Sequence, residues 1–375
     1  MNRLVASIIC LINIILIYPS STLADPTLWT KQMKEQRDVK ITELALAGQK
    51  LVFQRDYAQA LDFFKDVQKQ YPDSSLGYFG EMAIYEVQML ENEDFHLENE
   101  FLDASARGMQ VYDKVMQKYY PTDKELFYAA GVIGLDSFFQ ARKGNWWKAY
   151  VRGTKSRQIF KRILRKNPQF VDARLGEGMY IYWRSVFTKE YTFLPFFSDR
   201  REEGIAIIKG VIDQAEIAQE VARVNLGLIY FEEKNYKDAQ KIFENFVQQY
   251  PKSVIFYMLL GKVFLASKQY DKALDIFQKT LQLDPEIDKL YYFIGMSVAL
   301  NKHKNKYDYG KQTLDVFLKK SKQSLWRSYA YYWLGLINEK QGDKTEAKSN
   351  YEESIKLNPG LKHAKIKIRG LGGGI

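Results

Sequence analysis

A fixed period of 34 residues constrains this chain more than any other feature. Gly227, Gly261 and Gly295 are spaced 34 apart, as are Ala239 and Ala273, and Pro251 and Pro285. The wording around them recurs. Leu226-Gly227-x-x-Tyr230 is followed by Ala239, Phe243 and Pro251; Leu260-Gly261-x-x-Phe264 is followed by Ala273, Phe277 and Pro285. Leu334-Gly335, Ala347, Tyr351 and Pro359 repeat the offsets near the C-terminus, and Gly48, Ala60, Phe64 and Pro72 keep them near the start. The 40-residue step from Gly295 to Gly335 requires six extra residues, which Asn301 to Asp308 can supply. Each unit carries two apolar stripes at helical spacing, separated by polar turns such as Glu233-Lys234-Asn235. Gly on one helix and Ala on the other permit close approach, the aromatic fills the adjoining gap, and Pro ends the second helix. One such pair cannot bury its apolar face alone, so the units must stack into a continuous core.

The period, the Leu-Gly pair, the central Ala, the aromatic four residues later and the closing Pro resemble the tetratricopeptide repeat family. The pattern is specific over 220–287 and 328–361, good over 41–74 and degenerate over 75–219. The resemblance implies an all-α fold, a right-handed superhelical solenoid of about eight helix–turn–helix repeats. Longer units fit 75–121, 122–168 and 169–219, the last with an insertion of about 16 residues against the template. The expected organisation is a signal peptide over 1–24, a lead-in over 25–40, irregular repeats over 41–219, regular repeats over 220–361 and a basic, Gly-rich tail over 362–375, to which no structure is assigned. The Ala141 to Ala149 segment with Leu194-Pro195-Phe196-Phe197 looks like a group of exported bacterial repeat proteins.

Family resemblance also implies a concave surface, made by the first helix of each pair, that binds an extended peptide or a helix. Register places Asn225, Leu228, Met258, Lys262, Tyr292, Tyr332 and Leu336 on it. Simple packing is an equal alternative for each. Asn225 stands where family members with a carboxylate clamp place an Asn, but the other clamp residues are not recognisable, so a C-terminal-carboxylate receptor is not indicated.

The N-terminus sets the expected compartment. Arg3 precedes an apolar run from Leu4 to Tyr18, then Pro19 and a small residue, Ala24, at a cleavage point. The run is short for a membrane span, which needs roughly 20 apolar residues, and no later stretch approaches that length. The reading is an exported protein of the periplasm or cell envelope, with no transmembrane helix after cleavage and, Cys10 being the sole cysteine, no thiol in the mature chain.

Chemistry is sparse. One cysteine and three histidines exclude a zinc ribbon, an iron–sulfur site and a disulfide scaffold. No P-loop, G-x-S-x-G or H-E-x-x-H motif occurs. Neither an enzyme nor a cofactor is expected, and no metal site: Glu91, Glu93, Asp94, His96, Glu98 and Glu100 read as a solvated acidic connection. Two further segments invite a surface role. Arg142 to Lys166 holds ten basic residues and no acid, among them Lys148, Arg152, Lys155, Arg157, Lys161, Arg162, Arg165 and Lys166, with Trp146, Trp147 and Tyr150 alongside. This face suggests docking on an anionic lipid or glycan of the envelope surface, or on an acidic protein; the alternative is a solvated face whose acids lie on neighbouring helices. The export signal argues against nucleic acid. The second segment is an aromatic insertion with Phe187, Tyr191, Phe193, Phe196 and Phe197, expected to fold back onto the stack rather than stand exposed.

Overall fold

A computed structural model describes residues 26–118, 121–188 and 198–372. The export-signal expectation and four residues of the aromatic insertion (Tyr191, Phe193, Phe196 and Phe197) fall outside them. Among the described residues the chain is seventeen α-helices and one short 3-10 turn, without strands. Eight antiparallel pairs follow in order: α1 (Pro26–Phe53) with α2 (Tyr57–Gln70), α3 (Leu76–Asn92) with α4 (Glu98–Gln117), α5 (Asp123–Arg142) with α6 (Trp146–Lys166), α7 (Asp172–Thr188) with α8 (Arg201–Gln214), α9 (Gln219–Glu232) with α10 (Tyr236–Gln249), α11 (Val254–Ala266) with α12 (Tyr270–Leu283), α13 (Asp288–Leu300) with α14 (Tyr307–Lys320), and α15 (Ser324–Gln341) with α16 (Lys344–Leu357). Each helix packs against the next in sequence, the contact pattern of an all-α repeat solenoid.

Side-chain packing explains the repeated letters. A Cβ on Gly227, Gly261 or Gly335 would lie 2.7, 2.5 or 2.6 Å from the ring of Phe243, Phe277 or Tyr351. The ring sixteen residues downstream thus occupies the volume that any larger side chain would need. The turns repeat as well. Arg55, Lys234 and Lys268 take left-handed backbone angles (φ 67°, 60° and 62°) two residues before the second helix of their pair, where Gly144 and Gly342 stand in other pairs (φ 79° and 89°). That geometry reverses the chain in a few residues, and a non-glycine residue there costs about 1 kcal/mol. A capping box fixes the start of α5: the Thr122 hydroxyl accepts from the Glu125 N–H at 3.2 Å, and the Glu125 carboxylate accepts from the Thr122 N–H at 2.9 Å.

Two expectations about the ends change. The lead-in is no separate segment: α1 runs unbroken for 28 residues from Pro26. The tail expected to lack structure contains a further helix, α17 (Lys362–Gly370), which sets Ala364 and Ile368 with Leu361 against Ala347 and Tyr351. These residues recur at i, i+3 and i+7, so one face of a basic segment is apolar and closes the open end of the last pair.

The stack also closes on itself. Helix α3 contacts α11, although 164 residues separate Glu91 from Ile255. The Phe53 ring, at the end of α1, stands edge-on to Phe246, Tyr250 and Phe256 at centroid distances of 6.1, 5.3 and 5.3 Å. The first two pairs therefore dock on the fifth and sixth. Among the described residues no helix is long and apolar enough to cross a membrane.

Candidate functional site

The surface expected to receive a partner is partly taken by the chain itself. Near the end of α3, Glu91 is 1% exposed. Its carboxylate accepts from Arg55 Nε at 3.1–3.2 Å, from the Tyr57 hydroxyl at 2.7 Å and from the Ile255 backbone N–H at 3.2 Å, in the first turn of α11. Arg55 also reaches Asp284, beyond α12, at 2.5 Å. Burial raises the Glu91 pKa against the opposing pull of Arg55 and the hydrogen bonds. Burial first, and then the Glu91 charge, push the Tyr57 phenol well above its ordinary value. Two residues later Glu93, itself in the left-handed region (φ 49°), pairs with Lys262 on α11. The solvated acidic connection expected here is therefore corrected at its two leading residues. They are interior contacts because the superhelix brings α11 against them.

The expected groove residues divide accordingly. Lys262 is engaged by Glu93 and lies 5.5 Å from the Phe293 ring. Met258, one turn earlier on α11, has no accessible surface. Tyr292 is buried, its hydroxyl accepting from Trp333 Nε1 at 2.9 Å and its ring edge-on to Trp326 at 4.9 Å. Neither Met258 nor Tyr292 is an open groove contact in this structure, because tertiary packing covers positions that register alone leaves facing outward. Asn225 is half-buried and spends its amide on the Val221 carbonyl of its own helix, at 2.8 Å. Leu228 is half-buried against the main core. Tyr332 and Leu336, on α15, are likewise half-buried, Leu336 against the main core and the Tyr332 ring 5.8 Å from Tyr351 and 6.4 Å from His363.

The basic run forms α6 and the turn before it, and neighbouring helices supply acids for much of it. Arg142 pairs with Glu86 at 2.6 Å, Lys143 with Glu98 at 2.8 Å, and Arg152 with the buried Asp136. Arg157 and Lys161 share Glu177 at 3.4 and 3.7 Å, and Lys166 meets Asp123 at 3.6 Å. Lys155 sits over the Tyr112 ring at 4.5 Å. Lys148, Arg162 and Arg165 are exposed. The alternative reading, a face whose acids lie on neighbouring helices, therefore describes most of this run, and Lys148, Arg162 and Arg165 are left to solvent. At the start of α6, Trp146 and Trp147 are 57% and 77% exposed. Phe187, the one described aromatic of the insertion, is also exposed, its ring 5.2 Å from Trp146 and 6.1 Å from Trp183. Among the described residues no three His, Cys, Asp or Glu side chains are grouped to hold a metal ion.

Sequence comparison matches tetratricopeptide repeat families over residues 44–74, 224–286 and 328–361. No curated protein gives a significant sequence match. Several solved structures align with low identity. The pilF protein of Pseudomonas aeruginosa is 16% identical, with 66% of this chain and 99% of that one covered and a TM-score of 0.45. YrrB, described as a tetratricopeptide repeat protein with an unusual peptide-binding site, is 15% identical over 56% of this chain and 97% of its own, with a TM-score of 0.39. MamA from Desulfovibrio magneticus RS-1 is 16% identical over 49% of this chain and 96% of its own, also at 0.39. The three matched segments carry the glycine–ring contacts described above at Gly227, Gly261 and Gly335, and the same contact between Gly48 and the Phe64 ring. With eight helix pairs in a continuous stack, the chain is a tetratricopeptide repeat protein.

Proposed function

We propose that this chain is a non-catalytic interaction scaffold of the periplasm or cell envelope, and that it holds a peptide or protein partner against the first helices of its last repeats. One observation carries the choice of surface. The chain's own α3 engages α11 through Glu91 and Glu93, whereas Tyr332 and Leu336 on α15 pack only against neighbouring repeats and keep part of their surface accessible. A tyrosine beside a leucine, framed by Trp333, Tyr351 and His363, offers an apolar contact with a polar tip, which suits an aliphatic or aromatic anchor of a partner. Export rests on the sequence alone, on the apolar run before Ala24.

The test is affinity capture from an envelope extract by the full chain and by a Tyr332→Ala/Leu336→Glu variant. A specific partner that the wild type retains and the variant loses supports the reading. Equal capture by both removes this surface from consideration. Lys262→Glu is the useful contrast, since its expected effect is to repel Glu93 and loosen the chain, not to block a partner.

A further inference from the structure

The three cations left to solvent and the exposed rings lie on one helix, and their arrangement along it is regular. At 100° per residue, Ala149, Ser156, Ile159, Phe160 and Ile163 form the buried side of α6. Trp147, Tyr150, Val151, Arg162 and Arg165 fall on the opposite side, and all five are exposed. From Trp147 to Arg165 this stripe extends about 27 Å, aromatic at its first two turns and cationic at its last two. Trp146 and Trp147 are the only exposed tryptophans among the residues whose side chains are described. The Trp147 and Tyr150 rings stack at 6.0 Å along the helix surface and are not turned into the core. The acids that neutralise α6 (Asp123, Asp136 and Glu177) belong to the helices packed beside it, and the run from Arg142 to Lys166 itself contains none.

We infer that the outward stripe of α6 docks on an anionic lipid bilayer, with Trp147 and Tyr150 entering the headgroup layer, Arg162 and Arg165 meeting lipid phosphates, and Lys148 adding charge from the flank of the helix. Indole and phenol rings settle at the water–hydrocarbon boundary without a shaped pocket, which a single projecting helix ridge cannot provide for itself. Unpaired Lys and Arg supply the long-range attraction, each contributing about fivefold in partitioning near an anionic surface. The net charge of +10 acts in the same direction. A second copy of the chain is a poorer occupant, because it would set three bare cations against three. The inference is independent of the partner surface on α15.

Brominated-lipid quenching of tryptophan emission tests it in the full chain. Vesicles of brominated phosphatidylglycerol are expected to quench a component of the emission that a Trp146→Phe/Trp147→Phe variant lacks. Comparing these variants isolates α6 from any insertion by the apolar run near the N-terminus. Arg162→Gln/Arg165→Gln should raise the lipid needed for half-quenching of that component about 25-fold, and high salt should raise it further. Four results would overturn the inference: no quenching of that component; equal quenching by brominated phosphatidylcholine; quenching indifferent to salt and to the arginine variant; or, without lipid, a component shielded from iodide, which would mean the chain covers the stripe itself. Concentration-dependent dimers lost with Trp147→Ala, and no response to vesicles, would assign the stripe to a second copy instead.

Discussion

Removing Arg55 tests the closure between the first two pairs and the sixth. Arg55 is the sole arginine on Glu91, which it grips through Nε while a terminal nitrogen reaches Asp284 at 2.5 Å. Arg55→Ala leaves a carboxylate that is 1% exposed without its cation, a class of change that typically costs ~3–5 kcal/mol. Two features bring the cost to the lower bound of that range or somewhat below it. Glu91 keeps the Tyr57 hydroxyl and the Ile255 N–H as donors, and its already raised pKa lets it take up a proton. The backbone adds nothing, since alanine bears the same left-handed strain at φ 67°. A local loss of about 2–3 kcal/mol corresponds to roughly 30- to 150-fold faster exchange of amides that open when the contact breaks. Hydrogen exchange followed at Ile255 and its neighbours in the first turn of α11 measures it. Arg55→Leu combined with Glu91→Leu should recover most of the loss, because apolar replacement removes the stranded charge. Unchanged exchange at Ile255 in Arg55→Ala would refute the reasoning, and with it the claim that α3 occupies the groove of α11.

Two smaller tests follow from the same coordinates. Gly261→Ala drives a methyl group to 2.5 Å from the Phe277 ring and should lower stability by ~1–3 kcal/mol, whereas Gly210→Ala, with open space around it, should raise it by up to ~1 kcal/mol; paired thermal melts decide. The Glu91 pKa sits above its unfolded value of about 4.5, so between the two values the folded chain holds a proton that the unfolded chain has released. Stability from this site therefore rises as pH falls through the raised pKa and levels off below the unfolded one. The groups that face it are Arg55, Tyr57 and, through Arg55, Asp284. Urea titrations of wild type and Glu91→Gln across that window should differ in slope, and parallel curves would contradict the assignment.

How far the sequence reaches depends on where each interaction partner lies. The regular repeats are legible because the glycine and the ring that touches it are sixteen residues apart, a spacing printed again and again in one chain. Boundaries of the irregular pairs are legible too, since units over 75–121, 122–168 and 169–219 each contain one observed pair. Closure is not legible. It joins Arg55 to Asp284 across 229 residues, and no local pattern distinguishes Glu91 from the acids that follow it. The basic face shows the same limit: the cations are adjacent in sequence, but their acids, Glu86, Asp136 and Glu177, sit on three other helices. In the tail, four basic side chains between Lys362 and Arg369 obscure the apolar positions Leu361, Ala364 and Ile368.

The degenerate middle of the chain follows its own rule. Helix α3 buries three glutamates, Glu81, Glu86 and Glu91, and each holds an arginine from a different element: Arg107 on α4, Arg142 on α5 and Arg55 in the turn before α2. Asp136 on α5 does the same with Arg152 on α6. Helices α3 and α5 are the first helices of pairs in which a glycine meets the ring of an earlier helix, Gly80 with Phe64 and Gly131 with Phe79, and not a ring sixteen residues downstream. A buried ion pair adds little net stability over a well-packed apolar contact, because desolvation offsets most of the attraction, but a mismatched pairing strands a charge at a cost of ~3–5 kcal/mol. Where no glycine–ring fit joins the two helices of a pair, a buried carboxylate penalises any docking that leaves its arginine out of reach. The same rule draws acids inward from the second and third pairs. It explains how a helix with ten cations in its vicinity can keep its outer stripe free of carboxylates: the acids of this region serve the joints between helices, and the surplus positive charge is left facing outward.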